Sequence, residues 1–314
     1  MENLKQQTNN SAKFAFFYLL SLTSLIFTAL SVGMIIFQII NKSIVDVINQ
    51  YSGQFSQEQL KFAIATIIIA APVFYLTQKQ IYKNLFLGIM EKDSGIRKWL
   101  SYLTLFTSSV ITIGWLIATI NSFLDGDLTI KFALKAITAI IISSVAFSFY
   151  LYDIKREEVA GKKDKIIKIY FFASLILVLA SFIASLFFVE SPMETRNKKM
   201  DEIIMNNFYS INNEINSYYN EFGKIPQTID ELQREYGISD KILNHPESGK
   251  KIEYKIVGEK EYELCTDFKT SNKNEEDYYG YYNNYRKENE KHDAGYQCLK
   301  QRVEVVNPPI LLKD

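Results

Sequence analysis

The sequence predicts a membrane α-helical bundle of five transmembrane helices joined to a small α+β domain, and three observations predict it. Five long apolar stretches fill residues 1–190 and none follows; about 20 apolar residues are what one helix needs to cross the hydrocarbon core. Lys and Arg crowd alternate connecting loops and are sparse in the others. Beyond residue 194 the apolar spacing first follows a helix and then a strand.

The first stretch, Phe14–Ile40, is far longer than the apolar region of a signal peptide, and no small-x-small cleavage pattern follows it, so it reads as a retained helix. The next four are Phe62–Leu76, Trp99–Phe123, Phe132–Tyr152 and Ile166–Val189. None has an Asp or Glu in its interior. Lys135 is the one cation that reads as buried, its stem lying along the helix while the ammonium reaches the interface. Pro72 is expected to kink the second span.

Loop charge sets the orientation. The segments before span one, between spans two and three and between spans four and five hold thirteen Lys and Arg residues, against four at the opposite ends, Lys42, Lys61, Lys131 and Lys135. The positive-inside rule then places the amino terminus in the cytoplasm of a cell whose inner membrane holds the chain. Five crossings put residues 191–314 outside.

Spans one to four read as a tandem duplicated hairpin. Lys13, Tyr18 and Ser24 align with Arg97, Tyr102 and Ser108; the second helices open with Lys61-Phe62-Ala63 and Lys131-Phe132-Ala133 and close with Phe74-Tyr75-Leu76 and Phe149-Tyr150-Leu151. The competing explanation is convergence, since these residue types recur in membrane helices. Hydroxyls crowd the same spans, among them Ser21, Thr28, Thr104, Ser108, Thr112 and Ser143. They either line a polar pathway or let helices approach closely, and the lack of an embedded ionisable residue favours packing. The domain boundaries expected are 1–160 for the four-helix unit and 161–314 for an anchoring helix with its outer domain.

In the outer domain Ile204, Phe208, Ile211, Ile215, Tyr218 and Phe222 form one face of an amphipathic helix, a stalk continuing from span five with a joint at Pro192. Gly223 ends it. Thr228 and Glu231 fit a capping box for a short helix that stops at Gly237. His245 to Gly249 is a turn. Alternation at Ile252, Tyr254 and Ile256, then at Tyr262, Leu264, Thr266 and Phe268, reads as a β-hairpin, with a last strand around Val303 and Val305. Residues 270–291 read as a polar, Tyr-rich surface loop.

Cys265 and Cys298, the only cysteines, read as a disulfide in an oxidising compartment. A zinc site from both with His245 and His292 is the alternative, but it lacks short Cys and His spacings. Tyr278, Tyr279, Tyr281, Tyr282, Tyr285 and His292 are the candidate partner surface, through glycan or protein contact; the plainer reading is a solvated loop. No nucleophile sits in a recognisable setting and no Gly-rich phosphate loop occurs, so the chain reads as no enzyme, with no cofactor and no metal. Balanced charge, 35 basic against 35 acidic residues, gives no reason to expect nucleic acid.

An apolar helix, an amphipathic helix with Tyr218-Tyr219, Gly223-Lys224-Ile225-Pro226, Asp230-Glu231-Leu232 and Pro246-Glu247-Ser248-Gly249 resemble the type II secretion major pseudopilin and type IV pilin-like folds over residues 170–268. That resemblance implies a long helix packed on a small antiparallel sheet. The pilin processing site is missing before span five, where the chain reads Ala160-Gly161-Lys162-Lys163. The whole chain resembles a family of uncharacterised multi-pass bacterial membrane proteins of candidate-phylum type, which pair a four-helix domain of unknown function with an outward pilin-like tail. The residues carrying it are the paired hairpins, Arg196, Tyr262-Glu263-Leu264-Cys265 and His292 to Cys298. It implies architecture and no reaction. The functional expectation is an envelope protein that presents an outward interaction domain to an envelope protein or glycan, with homo-oligomerisation open. The alternative is a transporter or channel component built on the duplicated four-helix block, which predicts polar residues converging on a cavity.

Overall fold

The computed structural model describes residues 2–44, 53–90, 94–157, 159–273 and 290–303, with side chains from residue 12 onward. It divides into two compact units, Met1–Val189 and Glu190–Asp314.

The first unit contains α1 (Glu2–Ser43), α2 (Gln57–Phe86), α3 (Gly95–Leu124), α4 (Ile130–Lys155) and α5 (Lys165–Leu186). All five are long and apolar enough to cross a membrane. Local chemistry sets their starts. Ser56, Thr129 and Asp164 each accept a hydrogen bond from an amide in the first turn of α2, α4 and α5, satisfying a donor that has no partner within the helix. α2 passes through Pro72 without ending. α1 packs mainly on α2 and α3 mainly on α4, so the two expected hairpins exist as packed pairs; α1 also meets α3, α4 and α5.

The boundary between compact units falls after residue 189, not after 160 as read from the sequence. α5 groups with α1–α4 because its inner face packs there: Val178, with Phe182, joins Val32, Ile35, Leu60, Ala63 and Ile67 in one apolar cluster. The outer faces remain uncovered apolar surface, such as Phe106, Ile117 and Ile176, as expected where lipid is the solvent.

Most hydroxyls turn inward onto their own helices. Thr28, Ser31, Thr104, Ser108 and Ser143 each donate to the carbonyl four residues earlier. That geometry hides the donor and favours close packing over a continuous polar pathway. Lys135 is not the most buried cation: Lys131 is 7% exposed and Arg97 3%.

The second unit holds α6 (Pro192–Phe222), α7 (Ile229–Tyr236), α8 (Asp240–Leu243), β1 (Glu253–Ile256), β2 (Glu261–Phe268) and β3 (Gly295–Arg302). A break separates α5 from α6, whose amino end is capped by Ser191 with Pro192 as its first residue. The strands form an antiparallel sheet in the order β1-β2-β3. One face of α6, through Ile204, Phe208, Ile211 and Ile215, packs with Leu232, Tyr262, Leu264, Phe268 and Leu299 into a single core. Gly223 and Gly237 end α6 and α7 in the left-handed conformation.

Three local expectations change. Thr228 makes no side-chain cap; Glu231 instead accepts from the Gln227 amide and the Tyr218 hydroxyl, tying α7 to α6. The last strand is Gly295–Arg302; Val303 follows it as a buried anchor, and Val305 lies outside the described residues. Ile256 is 44% exposed despite its alternating position, because β1 lies at the sheet edge and the core ends inward of it.

Candidate functional site

A cavity of about 500 Å³ lies inside the first unit, within the about 300–1,000 Å³ range of small-molecule sites. Its lining comes from α1, α2, α4 and α5, with the start of α3. Most of the wall is apolar or aromatic: Leu25, Val32, Phe74, Ile142, Ala146 and Phe171 are representative. The exposed members of the middle wall, Ile141, Val145 and Leu177, lie on α4 and α5 and are apolar. That side is an opening of the kind a lipid tail tolerates and a hydrated ion does not.

Polar groups converge at one end of the bundle, where α1, α3 and α5 begin and α2 and α4 finish. Gln78 donates to the Ser21 hydroxyl at 2.8 Å and reaches the Tyr150 hydroxyl at 3.5 Å, so α1, α2 and α4 meet around one amide. Tyr75 donates to Ser174 at 3.2 Å, joining α2 to α5. Tyr18 donates to Met90 Sδ at 3.2 Å, and Met90 packs with Val159, Ile81 and Leu85 to close the end behind it.

Beyond this layer lies a charged cluster. Arg97 Nη2 donates to the Asp153 carboxylate and to the Asp153 carbonyl, both at 2.7 Å. Arg156 Nη2 donates to the other Asp153 oxygen at 2.5 Å. Asp164 lies 3.8 Å from Arg156 Nη1 and accepts from the Tyr152 hydroxyl and the Ile166 amide. Burial pushes the Asp164 carboxyl up, but the Tyr152 hydroxyl, the α5 amides and Arg156 outweigh it and hold it below the ordinary carboxylate value. The carboxylate therefore stays ionised at neutral pH and keeps α5 anchored beside the cluster.

Sequence reading missed this cluster: Arg97 was matched to Lys13 in the hairpin repeat, and Arg156 was counted only among the loop charges. One signal pointed to it: in an antiparallel hairpin, residues at similar distances from the tip become neighbours, and Arg97 and Asp153 flank the α3–α4 turn in that way. The cluster sits at the ends of the spans, outside the span interiors that the sequence shows to be free of Asp and Glu.

The sites expected in the second unit fare unevenly. Cys265 and Cys298 are paired in register on β2 and β3, with Cα atoms 4.0 Å apart and sulfurs at bonding distance. Glu263 brings a carboxylate within 4.8 Å of both sulfurs, and among the described residues neither histidine joins that group. His245 is instead a buried turn residue whose Nδ1 accepts from the Glu247 and Ser248 amides. His292 is no surface residue: it is 2% exposed and stacks on Phe268 with ring centroids 3.8 Å apart. Tyr278, Tyr279, Tyr281, Tyr282 and Tyr285 lie outside the described residues. A second cavity of about 330 Å³ includes Asp201, Asn272 and His292. Its one deeply buried carboxylate, Asp201, is already engaged by three donors from Lys269 and Thr270.

Residues 15–150 match the domain of unknown function DUF5671. The DUF5671 match runs from α1 almost to the end of α4, taking in both hairpins, Gln78, Arg97 and Tyr150. It stops short of Asp153, Arg156 and all of α5, so part of the cavity wall lies beyond it. No curated protein and no solved structure matches the chain.

Proposed function

We propose that the DUF5671 helices, with α5, form a membrane-embedded binding unit for a largely apolar small molecule, as part of a transporter or lipid-handling protein. The observation that carries this reading is the cavity bounded by α1, α2, α4 and α5, with Gln78, Ser21 and Tyr150 meeting at one end. A bundle built only to anchor another domain has no reason to leave about 500 Å³ unfilled, because empty apolar volume costs stability. Ser24 and Ser108, matched by the proposed hairpin repeat, are both buried and both bond back to their own helices. Their shared setting supports a duplicated origin for the unit.

Native mass spectrometry of the full chain, gently extracted from membranes, tests the binding reading. The expected result is a retained adduct of lipid-like mass that is lost in Ala146→Trp, which fills the cavity from α4. An adduct of equal occupancy in both proteins contradicts it.

A second reading covers residues 190–314 as an outward-facing interaction domain of the cell envelope with a pilin-like fold. The long α6 packed on a three-stranded antiparallel sheet supports it, as do the facing cysteines. Loop charge supports the orientation. In this reading the partner is an envelope protein or glycan, and the chain acts without catalysing a reaction.

A further inference from the structure

We infer that the cavity takes an anionic amphiphile, its tail between α4 and α5 and its head group at Arg156. This deepens the binding reading above and rests on it. Four observations carry it.

Arg156 lines the cavity, and its side chain is only 5% exposed. Its Nη2 is used by Asp153 and its Nη1 faces Asp164, yet its Nε has no hydrogen-bond partner among the described residues. A buried guanidinium N–H left without an acceptor is costly, and an incoming oxyanion supplies what it lacks. The charge agrees: Lys79, Arg156 and Lys168 belong to the lining, against the single carboxylate of Asp153. A cationic head would meet that excess as repulsion, and a neutral head would leave it unused.

The remaining wall sets the rest of the molecule. From the polar layer inward the lining is mostly apolar, with the Thr28 hydroxyl turned back onto its own helix, and its open side presents Ile141, Val145 and Leu177. A small hydrated anion gains nothing from that surface, whereas an acyl or isoprenoid tail buries against it at about 25 cal/mol per Å². The polar end also lies where the spans finish, so a head group held there stays at interface depth while its tail runs inward. Arg suits the task because its guanidinium holds Asp153 and Asp164 through the Nη groups and still presents a directed Nε–H to an oxyanion.

The test uses the full chain in a neutral maltoside detergent. The probes are a fluorescent long-chain fatty acid, the chain-matched alcohol, and inorganic phosphate as competitor. The expected result is that the acid binds at least tenfold tighter than the alcohol and that phosphate does not displace it. Arg156→Gln should erase most of the tenfold preference, while Arg156→Lys keeps part of it. Ala146→Trp should weaken acid and alcohol alike. Equal binding of acid and alcohol to the unaltered protein, or a preference untouched in Arg156→Gln, overturns the head-group assignment and leaves the cavity reading standing. Displacement by inorganic phosphate overturns the need for a tail. Failure of acid and alcohol alike, with no effect of Ala146→Trp, sinks both readings. The acid-to-alcohol comparison needs no variant, so a poorly folding Arg156→Gln still leaves the inference decidable.

Discussion

Replacing Asp201 with alanine should lower the stability of the second unit by about 3 kcal/mol, a large fraction of the about 5–15 kcal/mol available to a domain. Asp201 sits on α6 and is 3% exposed. Its Oδ1 accepts from the Lys269 amide at 2.8 Å, and its Oδ2 accepts from the Thr270 amide at 2.7 Å and the Thr270 hydroxyl at 2.6 Å. These bonds fasten the chain leaving β2 onto the long helix. Truncation strands the donors in a partly buried setting, where each costs more than an average hydrogen bond contributes. Asp201→Asn should lose nearly as much, because its amide nitrogen must face a donor whichever way it is turned. Hydrogen exchange on the full chain reads the effect locally: protection of the β2 and β3 amides should fall by roughly a hundredfold. Unchanged protection would mean that the sheet is held by the apolar core alone.

Loss of the cysteine pair should have a comparable effect. Cys265 and Cys298 are 33 positions apart, and a cross-link over that length stabilises by about 3–4 kcal/mol in the chain-entropy account. The double Cys265→Ser, Cys298→Ser variant should therefore unfold at markedly lower denaturant, with the change confined to residues 190–314. The same pair reports on compartment. In intact cells the cysteines should resist alkylation until a reductant is added, as expected outside the cytoplasm. Free thiols in freshly lysed cells under trapping conditions would count against the outward orientation.

Legibility in the sequence followed the range of the interaction. The five apolar runs correspond to helices because length and composition act along one segment, and Gly223 and Gly237 were readable as helix ends for the same reason. The hairpin of β1 and β2 was visible in the alternation from Ile252 to Phe268. Interactions between segments were harder. Arg97 and Asp153 lie 56 positions apart and meet only because α3 and α4 fold back on each other. The cavity depends on how far α4 stands from α5, which no single-helix pattern encodes. His292 was misplaced because a polar neighbourhood suggested solvent, whereas the ring stacks on Phe268 and its amide is held by Asn272. Proximity of α5 in sequence to the outer domain likewise said nothing of its packing on α1 and α2.

The central claim is that the bundle holds an amphiphile between α1, α2, α4 and α5. An experimental density map of the full chain, purified in nanodiscs made from its host's own lipids, tests it most directly. The account predicts elongated density inside the cavity, running past Ala146 and Ser174, with its head beside Arg156. A map in which Phe74, Tyr75 and Phe171 close over the space, leaving no density and no room for any, would contradict it.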